Sequence, residues 1–227
     1  MPRRCDPKDF TCTRRFEAQA FRRGWRLIAG CDEAGRGSWL GPLFAAAVIL
    51  DPARPISGLD DSKKLSREQR EFLDAEIRAK AIAFEVVAVE SAEVDAINVY
   101  EASRQAMLRA LQRLEPKPDF VLTDAMPLTH GRVRAGFDAP YRAILHGDAR
   151  SVTIAAASIL AKVARDARLR ELDLLYPQYQ LARNKGYGTQ EHLDALKRFG
   201  PCPEHRRSFS PVKDFVLPLF PFAPAAM

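Results

Sequence analysis

The chain of 227 residues is poor in cysteine and histidine, with four of each. Cys5, Cys12, Cys31 and Cys202 show neither CxxC spacing nor a surrounding His/Cys cluster, which argues against a structural zinc site and against a disulfide framework. Free thiols suit a reducing compartment, so the expectation is a cytoplasmic protein. No long apolar stretch follows the basic first residues, and a secretory signal is not evident. The longest apolar run, Leu43 to Leu50, is far too short to span a membrane. Neither GxxxxGKS/T nor GxGxxG occurs, which removes the two common phosphate-cradling nucleotide loops. No internal repeat is evident.

What remains is an ordinary globular composition, 47% hydrophobic and 28% charged, long enough for a sizeable core. The net charge is +6, from 35 basic against 29 acidic residues. The excess is uneven: Arg3, Arg4, Lys8, Arg14, Arg15, Arg22, Arg23 and Arg26 crowd the start, and Arg206-Arg207 mark a second basic point. Such a surface favours a polyanionic partner without establishing one.

Three segments are expected: a basic, flexible N-terminal arm over 1–25 with a short helix near Arg15 to Arg23, a catalytic domain over 26–175, and a helical and loop extension over 176–227. Apolar stretches predict strands at Leu27–Cys31, Leu43–Leu50, Phe84–Val89 and Phe120–Thr123. Ser66, followed by Glu68 and Gln69, predicts a capped helix to about Lys80. Further helices are expected over Ala96–Leu114, Ile154–Leu175 and Gln190–Phe199, and residues 125–147 read as irregular. The order implies an α/β fold with a partly parallel sheet. No apolar seam stands outside the plausible core, so a monomer is expected.

Acids follow two of the strands: Asp32-Glu33 after the first and Asp124 after the fourth. Burying carboxylates costs too much without compensation. Strand ends facing one crevice are natural places to gather them around Mg²⁺ or Mn²⁺, which prefer oxygen ligands. Asp148, before the alanine-rich helix, is a further candidate, although a turn or cap role accounts for it equally. Asp166 and Asp173 lie inside that helix, and the arginines around Asp166 favour an ion-paired or solvent-facing role. In Gly35-Arg36-Gly37 the glycines allow close backbone approach and the arginine offers several donors to a phosphate. Tyr187, between Gly186 and Gly188, is placed to stack on a base or sugar, or to plug the core edge. Lys63, Lys185, Arg206 and Arg207 are candidate phosphate contacts.

Taken in order, Cys31-Asp32-Glu33-Ala34-Gly35-Arg36-Gly37, Gly41-Pro42, Asp61–Ser66, Ala155–Val163, Asn184–Thr189 with Glu191-His192, and His205–Phe209 resemble bacterial ribonuclease HII, a type 2 ribonuclease H, over about residues 26–213. The resemblance implies a ribonuclease H-like mixed central sheet flanked by helices, with a C-terminal helical extension that completes the substrate site. It implies an endoribonuclease that hydrolyses the RNA strand of RNA–DNA hybrids. Such an enzyme also cuts 5′ of ribonucleotides embedded in duplex DNA, leaving 3′-hydroxyl and 5′-phosphate ends.

Asp32, Glu33, Asp124 and Asp148 take the places of the family's ligands for two divalent ions. Gly35-Arg36-Gly37 takes the place of its ribonucleotide reader, and Tyr187 that of a tyrosine packing on the sugar beyond the junction. The chain departs from the pattern at Ser38-Trp39, where proline and a small or apolar residue are common, and at Ala125, where glycine is usual. Two rival readings are a non-catalytic duplex-binding protein and another nuclease of the same broad fold.

Overall fold

Near-continuous burial along β1 (Ile28–Ala34), β2 (Leu43–Ile49) and β4 (Phe120–Asp124) builds the centre of the molecule. The computed structural model describes residues 10–129 and 138–216. The basic residues at 1–9, the stretch 130–137 and the Pro/Phe-containing tail from 217 lie outside the described residues. Strands β1 (Ile28–Ala34), β2 (Leu43–Ile49), β3 (Ala83–Val89), β4 (Phe120–Asp124) and β5 (Tyr141–Ile144) form one sheet in the order β3-β2-β1-β4-β5. β1, β2 and β3 are antiparallel neighbours, whereas β1–β4 and β4–β5 are parallel.

The helices are α1 (Arg15–Arg22), α2 (Arg67–Lys80), α3 (Ser91–Ile97), α4 (Val99–Arg113), α5 (Val152–Leu175), α6 (Leu181–Asn184) and α7 (Gln190–Phe199). Odd-numbered positions of β1 and β2, including Ala29, Cys31, Ala45, Ala47 and Ile49, pack with Ala106, Met107 and Leu111 of α4. Even positions Ala46 and Val48 pack against the alanine run of α5 and against Leu73 and Ile77 of α2. This is the period-two alternation of a sheet covered on both faces. α5 approaches β1 so closely that a Cβ at Gly30 would lie 2.3 Å from the Thr153 backbone.

The capped helix expected after Ser66 forms with a full capping box, Ser66 and Gln69 each bonding the other's backbone. Three expectations are corrected. The helix expected over Ala96–Leu114 is two helices broken at Asn98, which adopts φ 69° and caps α4 through its side chain. The stretch 125–147, expected to be irregular, contains β5. That strand is four residues long with both middle side chains exposed, so it carries no alternation to read.

The described part of the N-terminal arm is docked. Phe16 and Ala20 of α1 pack with Ile28, Leu122, Ile144 and Ile154. The buried Glu17 carboxylate accepts from Ser151 Oγ and Thr153 N at the start of α5. Beyond α5, Tyr179, Leu181, Ala195 and Cys202 close a second small core over Leu40, Leu169 and Leu172. Among the described residues, no helix is long and apolar enough to cross a membrane.

Candidate active site

Strand register explains why distant acids meet. The β1–β4 ladder runs to Cys31↔Thr123, so Asp32 and Asp124 are neighbours one step further on. Both are even-numbered and share the α5 face with Ile28 and Leu122. The turn between β5 and α5 brings Asp148 to the same point. Carboxylate oxygens of Asp32, Asp124 and Asp148 lie within 4.8 Å of one another, and this is the one group of potential cation ligands among the described residues. Glu33, one residue along, belongs to the opposite face. One of its oxygens lies 3.5 Å from the Arg36 guanidinium, while Oε2 is buried without a hydrogen-bond partner.

Backbone donors orient the acids. Glu33 N donates to Asp32 Oδ1 at 2.8 Å, Gly147 N to Asp124 Oδ1 at 2.6 Å, and Ala149 N to Asp148 Oδ1 at 2.9 Å. Burial, reinforced by Glu33, Asp124 and Asp148, raises the Asp32 pKa well above the usual carboxylate range. Burial pushes Glu33 up to about 7, with Arg36 opposing. Asp124 is raised by burial and by Asp148. Each shift marks negative charge that the chain alone does not neutralise.

The chief internal counter-charge is Lys63, whose Nζ lies 2.9 Å from Asp148 Oδ2 and 3.6 Å from Asp61, on a side chain 76% exposed. Desolvation lowers its ammonium pKa, but the bond to Asp148 and the charges of Asp148, Asp61 and Asp32 together more than offset that and raise it. The donor set is all oxygen, one buried carboxylate oxygen is unsatisfied, and three acids converge. These features fit a divalent cation.

A cleft of about 430 Å³ opens beside the acids, lined by Asp32, Glu33, Asp124, Gly35-Arg36-Gly37, Lys63, Lys162 and Tyr187. Sequence reasoning had not singled out Lys162, which pairs with Asp166 at 2.7 Å. Asp166 itself is buried and ion-paired, also facing Arg70 at 4.0 Å, and so stands apart from the triad. A Cβ at Gly37 would meet nothing within 4 Å, so packing does not require glycine there. Gly35, at φ 90°, is required, because its Cβ would fall 1.9 Å from Arg165 Nε. Tyr187 is 40% exposed at the cleft wall. Its loop is held from behind by Trp39, whose ring a Cβ at Gly188 would penetrate, approaching to 2.1 Å. Lys185 sits at φ 56°, and its ammonium donates to Ala182 O at the base of the same loop.

Arg206 corrects the sequence reading. It is fully buried, and its guanidinium donates to Gly41 O at 3.1 and 2.9 Å and to Arg36 O at 3.0 Å. It braces the loop from beneath, where no phosphate reaches it. Arg207 is exposed, and its backbone N–H is held by Asp95.

The fold also brings Cys202, His205 and His192 together, away from the acids. His192 Nδ1 faces the Tyr187 carbonyl at 3.0 Å and must donate. Nε2 of the neutral ring therefore accepts from His205 Nε2 at 3.1 Å, and His205 Nδ1 accepts from Cys202 N at 3.0 Å. Both rings are neutral in this chain of bonds. Finally, Ala125 adopts φ 49°, the left-handed conformation that explains why glycine is usual there.

The family model described as Ribonuclease HII matches residues 29–212. A ribonuclease HII of Solibacter usitatus is 50% identical over 204 residues, covering 90% of this chain and 86% of that one. One from Geobacillus kaustophilus is 50% identical over 200 residues, covering 88% of this chain and 74% of that one. Among solved structures, the ribonuclease H2 of Pyrococcus horikoshii superposes with a TM-score of 0.71 at 27% identity, over 84% of this chain and 97% of that one.

Proposed function

The chain belongs to the ribonuclease HII family and is a nuclease, and we propose that it hydrolyses the RNA strand of RNA–DNA hybrids and cuts 5′ of ribonucleotides embedded in duplex DNA, acting as a cytoplasmic monomer. The observation that carries this reading is that Asp32 and Asp124, clustered with Asp148, line the same cleft as Gly35-Arg36-Gly37 and Tyr187. A non-catalytic binding protein gives no reason to gather three mutually repelling acids, two of them buried.

Asp32, Glu33, Asp124 and Asp148 would hold two divalent ions, Mg²⁺ or Mn²⁺. The chemistry supplied there is neutralisation of phosphate charge and a lowered pKa for the attacking water, so that the products carry a 3′-hydroxyl and a 5′-phosphate. The chain's own part is orientation. Backbone amides aim the three aspartates, and Glu33 keeps one oxygen uncommitted. Lys63 balances Asp148 before substrate arrives and then has an exposed ammonium free to turn to a phosphate. The open space above Gly37 lets a backbone approach the 2′-hydroxyl, the group that separates RNA from DNA. Arg36 presents a half-exposed guanidinium to the neighbouring phosphate, and Tyr187 packs on the sugar that follows. Lys185 and Arg207 are assigned contacts to the phosphate backbone.

The test is a labelled DNA duplex with a single embedded ribonucleotide, incubated with Mg²⁺ or Mn²⁺ and, separately, with excess chelator. The expected result is a cut on the 5′ side that chelator abolishes. Cleavage confined to long RNA stretches would remove the reader role of Gly35-Arg36-Gly37 and Tyr187. Folded protein that cuts neither substrate would leave only duplex binding.

A further inference from the structure

We propose that Arg165, with Ser38 as its relay, is a positioning residue that locks the Gly35–Gly37 turn and the Tyr187 loop into one register and thereby sets discrimination of an embedded ribonucleotide. The discrimination half of this proposal rests on the reading of those two loops given above.

Arg165 projects from the middle of α5 and is fully buried. A guanidinium taken out of water is stable only if its fixed fork of donors is satisfied. The acceptors here are not carboxylates but backbone carbonyls of two separate loops and one hydroxyl. Nε donates to Pro42 O at 3.1 Å, and Nη2 to Leu40 O at 3.4 Å and to Ser38 Oγ at 2.8 Å. Nη1 reaches across to Lys185 O, at 3.1 Å, in the loop that carries Tyr187. Ser38 Oγ passes its own proton to Gly35 O at 3.0 Å, so the cation is linked through one hydroxyl to the first residue of the reader turn. The guanidinium carbon also lies 5.6 Å from the centre of the Tyr187 ring.

Sterics say the same. A Cβ at Gly35 would strike Arg165, and one at Gly186 would come within 3.5 Å of Nη2 and 2.4 Å of Leu40 O. Each loop thus keeps a glycine where it meets the other loop or this side chain. Arg206 braces Arg36 and Gly41 alone and does not bridge to the Tyr187 loop, so the two buried arginines are not equivalent. Lysine cannot replace Arg165, because its donors radiate from one point and cannot reach acceptors on two loops at once. The relay belongs to this chain: the proline common at position 38 in the resembled family has no hydroxyl to give.

If the bridge fails, the Tyr187 ring loses its position relative to the turn. The cost should fall on a substrate whose cleavage uses both loops, a single ribonucleotide followed by a deoxyribose, more than on a continuous hybrid, where the following sugar is ribose. A merely structural arginine would lower cleavage of both substrates by the same factor.

The experiment uses Arg165→Lys and the milder Ser38→Ala in the full chain. Amide hydrogen exchange is read first. Both variants should exchange faster at Ser38 and Trp39 and, together with them, at Tyr187, while amides of 149–151 near Asp148 stay at the wild-type rate. Acceleration in one loop alone, or in neither, overturns the proposed lock. The kcat/KM ratio of the single-ribonucleotide duplex to the hybrid is read next. It should fall about tenfold in Arg165→Lys, the size expected for loss of one charged hydrogen bond, and a few-fold in Ser38→Ala. An unchanged ratio with both loops loosened overturns the role in discrimination. Tyr187→Ala serves as the reference. If it too leaves the ratio unchanged, the assignment of Tyr187 is at fault while the lock between the loops stands.

Discussion

Where β1 and β4 meet the turn before α5, three aspartates converge with a single lysine paired to one of them, and Glu33 Oε2 is buried with no partner. Beneath the loops alongside, Arg165 and Arg206 are buried just as deeply, yet among the described residues neither leaves a guanidinium nitrogen unsatisfied. The first region is incomplete and gains by taking up a cation. The second is completed by folding, using backbone carbonyls as its counter-groups. Damage to the first should therefore appear in chemistry and in metal-linked stability, and damage to the second in stability whether or not metal is present.

The largest effect should come from Asp124→Asn. Losing one of three converging carboxylates is expected to lower kcat on the order of a thousandfold. In chelator, calorimetry should find the variant at least as stable as the wild type, because like-charge repulsion falls. Wild-type protein at a hundred times the Kd for Mn²⁺ should gain about 2.7 kcal/mol of unfolding free energy, and the variant clearly less. Near-normal cleavage would remove Asp124 from the site.

Arg206→Met should cost roughly 3 kcal/mol in urea unfolding, because the Arg36 and Gly41 carbonyls lose their donors inside the protein. The same loss should be measured in Mn²⁺ and in chelator. A drop in duplex affinity with stability intact would instead restore the phosphate-contact role that its charge suggested.

The difference between the regions also separates what was legible in the sequence from what was not. Asp32-Glu33 and Asp124 announce themselves because acids directly after apolar runs require an explanation; the strands in fact extend to include them, and parallel register makes two of them neighbours. Gly35-Arg36-Gly37 and Tyr187 are legible as short motifs. Arg206 was misread, because a local charge run does not show that carbonyls from residues 36 and 41 converge on it. Arg165, Ser38 and the His192–His205 pair went unread for the same reason: their partners are brought to them by folding and not by spacing. β5 escaped because two exposed middle residues erase its alternation.

The histidine pair gives the third prediction. Burial, with His192 nearby, holds His205 down to about 3, and burial also lowers His192. As pH falls below about 6.5 the unfolded chain takes up protons that the folded chain refuses. The pair's contribution is therefore complete above that pH and is lost as pH falls toward 3. In chelator, the stability difference between the wild type and His205→Gln should shrink by up to about 1.4 kcal/mol per pH unit below 6.5. A difference that stays constant from pH 7.5 to 4.5 would mean that His205 is not held neutral.

The smallest effect returns to the acidic end. Ala125 follows Asp124 at φ 49°, its N–H held by Ile144 O at 2.9 Å, so the backbone cannot relax out of the left-handed region without breaking the parallel ladder. An L-residue there costs about 1–2 kcal/mol, whereas glycine adopts the conformation freely but gives the unfolded chain more entropy. Ala125→Gly should stabilise by about 0.5 kcal/mol net, with kcat and Mn²⁺ affinity unchanged if the strain serves only to continue the chain past the ligand. If instead the variant is more stable and binds Mn²⁺ more weakly, the strained alanine helps hold Asp124 in place, and the acidic end is built with more preorganisation than its unsatisfied charges suggest.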